Sequence, residues 1–151
     1  MASLIEAGDL ILLGGDLGAG KTTLTQGLAK GLGVPGPVTS PTFVLQRIYP
    51  CNPQVSSRPP TALVHADVYR LERLGEVVDL DMADLLEDGA AGVVEWGEVA
   101  AKVLPYDHLL VRMELGPCEL QRIVTFEVCG QLWEDRRQRL AKVISRWRSQ
   151  C

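Results

Sequence analysis

Gly14-Gly15-Asp16-Leu17-Gly18-Ala19-Gly20-Lys21-Thr22-Thr23 stands between a short apolar run, Leu10-Ile11-Leu12-Leu13, and a segment carrying Leu24, Leu28 and Leu32 at helical spacing. The apolar run suits a strand buried on both faces, and the leucine stripe suits a helix packed along one side. Between them, Gly15, Gly18 and Gly20 let the backbone turn several N–H groups into one concavity, and the following helix adds the positive end of its dipole. The pattern G-x-x-x-x-G-K-T is that of a phosphate-binding loop. In such a loop Lys21 reaches the β- and γ-phosphates, and the Thr22 hydroxyl completes the shell of a magnesium ion that keeps several waters. Chance alone would put this pattern in about three chains per thousand of this composition. The order strand, loop, helix narrows it further, against the competing reading of a glycine-rich turn that holds nothing.

The chain has 151 residues, 46% of them hydrophobic, which is enough for one continuous core and predicts a single domain over residues 1–151. A formal charge of −4 argues against counterion-driven nucleic-acid binding by the whole surface, while a local basic stripe could still contact RNA or a partner. Cys51, Cys118, Cys129 and Cys151 are widely separated, and His65 and His108 are the only histidines, so a structural zinc site is not expected. The start shows no basic and apolar export signal, and no run reaches the ~18 to 20 apolar residues of a membrane span. The expectation is a cytoplasmic protein with reduced cysteines, Cys129 among the core residues.

Gly33, followed by Val34-Pro35, ends the first helix. Thr39-Ser40-Pro41-Thr42 reads as a loop leading into a strand, Phe43-Val44-Leu45-Gln46-Arg47-Ile48-Tyr49, which Pro50 closes. Residues 50–60, with four prolines, suit the long tip of a hairpin whose second strand is Thr61-Ala62-Leu63-Val64-His65-Ala66. A helix-compatible stretch follows, in which Leu80, Leu85 and Leu86 pack while Asp79, Asp81, Asp84, Glu87 and Asp88 face water. Ala90-Ala91-Gly92-Val93-Val94 is another buried strand, and alternation predicts two late strands around residues 109–115 and 124–128. The last element reads as one helix, with Trp133, Leu140, Ile144 and Trp147 on one side and Arg136, Arg137, Arg139, Lys142, Arg146 and Arg148 largely on others.

A phosphate loop binds; hydrolysis or transfer also needs acids that hold the metal and orient a nucleophile. Asp67 and Glu95 each follow a buried strand, where strand ends of a parallel sheet converge on a ligand crevice. Glu95 is the better magnesium ligand, direct or through water, opposite Thr22. Asp67 either binds a magnesium-bound water or orients the attacking one. The competing reading for both is an ordinary acid at the exposed end of a strand. Ser40 and Thr42 lie in a loop placed to meet the γ-phosphate, although Thr42 could equally cap a turn. Tyr69 and Trp96 stand beside the acids, as pocket-lining or as packing residues.

Taken in order, Gly15-Asp16-Leu17-Gly18-Ala19-Gly20-Lys21-Thr22-Thr23, Ser40-Pro41-Thr42-Phe43, His65-Ala66-Asp67-Val68-Tyr69-Arg70-Leu71 and Val94-Glu95-Trp96 resemble the TsaE (YjeE) family. That family comprises small ATPases of tRNA threonylcarbamoyladenosine synthesis. The resemblance implies a three-layer α/β/α P-loop NTPase fold with a mixed, mainly parallel sheet, and ATP and magnesium as cofactors. Hydrolysis would depend on docking to partners of TsaB and TsaD type, which place a threonylcarbamoyl group on adenosine 37 of tRNAs reading ANN codons. By position it implies cofactor contacts for Gly15, Asp16, Gly18, Ala19, Gly20, Lys21, Thr22, Thr23, Ser40, Thr42 and Trp96. Magnesium falls to Thr22, Glu95 and Asp67, and catalysis to Lys21, Asp67 and Glu95, with Arg122 matching an arginine ahead of a late strand. The family also carries a helical segment with a threonine on the adenine side; only residues 1–8 stand in its place here, so either the start is truncated or the adenine side is incomplete.

Three other readings compete. A P-loop small-molecule kinase would need an acceptor pocket and an arginine-bearing lid, whereas the arginines cluster in the last helix. A guanine-specific switch would need an N-K-x-D motif, and the sole asparagine, Asn52, precedes a proline. A nucleotide-sensing interaction module would use the basic last helix for docking, against the simpler view that those charges complement a helix dipole.

Overall fold

In the computed structural model, which describes residues 1–52, 57–71 and 73–147, the apolar run becomes strand β1 (Leu10–Gly15) inside a six-stranded sheet. The others are β2 (Gln46–Pro50), β3 (Ala62–Asp67), β4 (Ala91–Glu95), β5 (His108–Leu115) and β6 (Arg122–Cys129), in the order β2-β3-β4-β1-β5-β6. The four inner strands run parallel, and β2 and β6 pair antiparallel at the two edges. This is the mixed, mainly parallel α/β sheet that the resemblance implies.

Strand alternation divides the core between the two faces. Ile11, Leu13, Leu63, Val93, Leu109 and Val111 face one side, where they meet Leu28, Ala29 and Leu32 of helix α1 (Lys21–Gly31) together with Trp133 and Leu140. Leu10, Leu12, Val64, Ala66, Val94 and Leu110 face the other, against Val77 of α2 (Leu74–Val78) and Met82 and Leu86 of α3 (Met82–Glu87). Helices therefore cover both faces, which is why β1 and β4 are near-continuously apolar. The five aspartates and glutamates named above, from Asp79 to Asp88, are exposed as expected.

Several boundaries differ from the sequence reading. Phe43, Val44 and Leu45 form a turn rather than strand: the amides of Val44 and Leu45 both donate to the Pro41 carbonyl, and Leu45 has φ 65°. Ladder pairing begins only at Gln46, opposite Ala66; the Leu45 carbonyl still accepts from the Asp67 amide at 2.9 Å, but the left-handed turn at Leu45 takes the preceding residues away from β3. Asp67 is accordingly the last residue of β3 rather than a residue beyond it.

The last element is not one helix. It divides into α4 (Gln131–Glu134), α5 (Arg137–Ile144) and a 3-10 turn (Ser145–Trp147), and Trp147 is exposed. Arg136 lies between the helices and is buried, on the apolar side rather than on one of the others. Its position follows from spacing: Trp133 and Leu140 reach the core, and Arg136 falls on the stripe between them. The buried charge is met by Asp9, whose two carboxylate oxygens accept from both terminal nitrogens of the guanidinium, by the Leu4 carbonyl at 2.8 Å and by the Trp133 ring at 4.2 Å. Cys129 is half-buried rather than core, and Arg148, Cys151 and residues 53–56 of the hairpin tip lie outside the described residues.

Candidate functional site

The loop from β1 to α1 is built on three positive φ angles, at Gly15, Gly18 and Gly20. Gly15 has φ +103°, and a Cβ there would collide with the Met113 backbone; Gly20, the residue before α1, has φ +108°. Between them Gly18 and Ala19 complete the bend, with Ala19 buried and Gly18 open to solvent. The first residue of α1 is Lys21, so the unpaired amides of the first helical turn open into the concavity.

Lys21 is buried, and its Nζ donates to the carbonyls of Gly15 at 2.8 Å and Asp16 at 2.7 Å while lying 3.8 Å from the centre of the Trp96 ring. Burial lowers its pKa, against the opposing fields of Glu95, Asp16, Asp67 and Glu98. Trp96 follows β4 with φ 61°, a strained conformation for a bulky residue, and its ring also meets Tyr69 at 4.9 Å. That backbone turn brings the ring over the lysine.

The two strand-end acids are neighbours. Register pairs Asp67 with Glu95 across β3 and β4, and Leu13 with Glu95 across β1 and β4. Thr22 Oγ1 donates to Glu95, at 2.8 Å from Oε1 and 3.0 Å from Oε2. Its proton so committed, the Thr22 oxygen keeps lone pairs for a cation. Thr42 Oγ1 donates to Asp67 Oδ2 at 2.7 Å, and the Tyr69 amide donates to Oδ1 at 2.9 Å. Ser40 and Thr42 are 2.7 Å apart through their hydroxyls. Because a carboxylate accepts only, Thr42 gives its proton to Asp67 and must receive one from Ser40.

These residues line one cavity of about 380 Å³, with Gly18, Gly20, Lys21, Thr22, Thr23, Ser40, Thr42, Asp67, Glu95 and Trp96 on its walls. Gly15 and Asp16 contribute their carbonyls to Lys21; the Asp16 side chain turns away to the Leu115 amide at 3.4 Å. A second, more apolar cleft of about 650 Å³ adjoins the same loop on its other side, between Gly18, Ala19 and Gly20 and a wall of Met1, Leu120, Arg122 and Trp147. Arg122 opens β6 and donates to the Glu119 and Gln121 carbonyls at 3.0 and 2.8 Å.

Two contacts were not anticipated from the sequence. His65, fully buried on β3, has Nε2 2.8 Å from Glu95 Oε1. Its signal was alternation, since Leu63, His65 and Asp67 share one face of a strand. Glu98 accepts from the Gly15 amide at 3.4 Å and from Arg112 Nε at 3.2 Å. Nothing local in the sequence indicates that contact, which joins residues 83 positions apart.

The cavity offers an ammonium and helix-terminal amides for phosphate and, opposite them, two carboxylates and a hydroxyl for a cation. Among the described residues no group of three or more His, Cys, Asp or Glu side chains is arranged to hold a metal alone. A magnesium ion suits such a place, because it takes one or two carboxylates and fills its shell from water and phosphate oxygens. Among the described residues no helix is long and apolar enough to cross a membrane.

A profile of the family described as threonylcarbamoyl adenosine biosynthesis protein TsaE matches residues 1–123. The chain is 47% identical over 137 residues to the tRNA threonylcarbamoyladenosine biosynthesis protein TsaE of Streptomyces coelicolor, covering 88% of each chain. It is 36% identical over 133 residues to the protein of that name from Bacillus subtilis, covering 88% of this chain and 78% of the relative. Among solved structures, that of Bacillus subtilis YdiB superposes with a TM-score of 0.67 at 30% identity, covering 98% of this chain and 84% of the other.

Proposed function

The chain belongs to the TsaE family of tRNA threonylcarbamoyladenosine biosynthesis, and from that membership we propose that it binds ATP with magnesium and hydrolyses it. The output is turnover of a complex of TsaB and TsaD type that places threonylcarbamoyl on adenosine 37 of tRNAs reading ANN codons. The observation that carries the ATP-hydrolysing part is the convergence of Lys21, the Thr22–Glu95 pair and the Thr42–Asp67 pair on one cavity.

Each group has a task there. Lys21, anchored at its ammonium by two carbonyls of the loop, presents its remaining N–H to phosphate, and the amides of residues 18–23 share the charge. Thr22 and Glu95 would hold magnesium, which when bound supplies charge neutralisation between the phosphates and the strand-end acids. Without a cation in that position, a triphosphate would face Asp67 and Glu95 directly. Asp67, fixed by Thr42 and Tyr69, keeps free lone pairs to orient a water for in-line attack. Ser40, donating to Thr42, turns its own lone pairs outward. Trp96 shields the lysine from solvent. The apolar cleft beyond Gly18 suits the adenine ring, with Met1, Leu120 and Trp147 as its walls.

Phosphate release measured with and without TsaB and TsaD type proteins tests this. Release that needs both ATP and the partners supports it. A phosphorylated small molecule in place of inorganic phosphate would make the protein a kinase, and tRNA modification that proceeds without hydrolysis would leave it a nucleotide-sensing module.

A further inference from the structure

His65 stands two residues before Asp67 on the same face of β3 and is fully buried, yet the hydrolytic scheme gives it no task. Its Nε2 lies 2.8 Å from Glu95 Oε1, while Nδ1 has no hydrogen-bond partner among the described residues. The neighbours fix the roles of the two nitrogens. A carboxylate accepts only, so the proton sits on Nε2; an N–H buried without an acceptor is rarer than a bare lone pair, so Nδ1 carries none. The ring is a neutral donor in one tautomer, aimed at one oxygen.

We propose that His65 is a positioning residue for Glu95: its Nε2–H holds the carboxylate toward Thr22 and so sets the affinity of the site for the divalent cation. This rests on the nucleotide-and-magnesium reading above. Glu95 has two competing neighbours in the cavity. Thr22 holds it through one hydroxyl, and Lys21 attracts it through space. A carboxylate that closed on Lys21 would neutralise the phosphate ligand and the metal ligand together. The ammonium instead bonds to the Gly15 and Asp16 carbonyls, and Glu95 stays with Thr22 and His65. Among the described residues His65 alone meets the Glu95 carboxylate from a fully buried position, where neither nucleotide nor solvent can displace it.

The test uses the full chain with ADP as nucleotide and Mn2+ as the spectroscopic stand-in for magnesium. His65→Leu removes the donor, His65→Asn moves it to the Nδ1 position, and His65→Gln restores an N–H near Nε2. Paramagnetic resonance titration should show Mn2+ binding to the ADP complex weakened about tenfold or more in His65→Leu and His65→Asn, and within about threefold of wild type in His65→Gln. Calorimetry in EDTA should show metal-free ADP affinity unchanged within about twofold in all three, the measurement that a merely structural histidine would not leave intact. Unaltered Mn2+ affinity in a folded His65→Leu or His65→Asn, a Gln variant as weak as the Leu variant, or an equal loss of metal-free ADP binding would each overturn the proposal. A wild-type protein whose ADP complex binds no Mn2+ would overturn the nucleotide-and-magnesium reading itself, and this proposal with it.

Discussion

The Thr42 hydroxyl donates to Oδ2 of Asp67 across 2.7 Å, joining the loop ahead of β2 to the last residue of β3. One side chain thereby links the loop to a strand-end acid of the proposed hydrolytic site, and Ser40 extends the link by one more hydroxyl. Hydrogen bonds to charged groups contribute about 1.5–3 kcal/mol, so Thr42→Ala should lower single-turnover ATP cleavage about tenfold or more while leaving ADP affinity nearly unchanged. Thr42→Ser should recover most of the loss. Equal rates for Thr42→Ala and wild type would remove the loop from the hydrolytic step.

Lys21→Ala removes the one ammonium among the residues lining the cavity. Its two carbonyl partners lie at the very end of β1 and the start of the loop, the half-buried Gly15 and the exposed Asp16, so the fold should survive, with an unchanged far-ultraviolet spectrum. Nucleotide affinity should fall about 100-fold, the scale of a lost charge-assisted contact to phosphate, and tRNA modification should be lost with partner binding at least partly retained. Calorimetry with ATP and a reconstituted modification assay measure the two effects separately.

Asp9 and Arg136 form a buried pair that ties the start of β1 to the junction of α4 and α5. Removing one partner strands the other charge, so Arg136→Met and Asp9→Leu should each cost about 3–5 kcal/mol in urea unfolding. The double variant should be less destabilised than the sum, because it leaves no buried charge unmatched. Additive losses would mean that the pair contributes little coupling.

Burial pushes the Cys51 thiol up to about 11 from its ordinary 9.0. Between those two values the unfolded chain has released a proton that the folded chain retains, so rising pH favours unfolding. The contribution from Cys51 is therefore complete below about pH 9 and lost above about 11. At pH 8 the half-buried Cys51 should react with a thiol reagent far more slowly than the exposed Cys118, a difference that peptide mass spectrometry can follow residue by residue.

The sheet and the glycine-rich turn between β1 and α1 were legible because their signals are local. Two residues of periodicity identify a strand, and three glycines with a lysine identify the turn, so β1, α1, β4 and the late strands lie close to where alternation and spacing put them. The hairpin entry was less legible: Phe43, Val44 and Leu45 have strand composition, but the Pro41 carbonyl takes the amides of Val44 and Leu45 in a turn, and Leu45 has φ 65°. The same limit applied to the last helix, where the partner of Arg136 lies 127 residues away.

By itself, then, the sequence determined the strand, glycine-rich turn and helix around Lys21 and that Asp67 and Glu95 would stand at strand ends, since backbone preference and hydrophobic pattern act over a few residues. Only the tertiary structure decided how those residues meet. Parallel register sets Asp67 beside Glu95, Thr22 reaches Glu95 across 73 positions, and His65 meets the same carboxylate from within the sheet. Such contacts depend on the order and register of non-adjacent strands, which follow from packing two core faces at once rather than from any short stretch of chain.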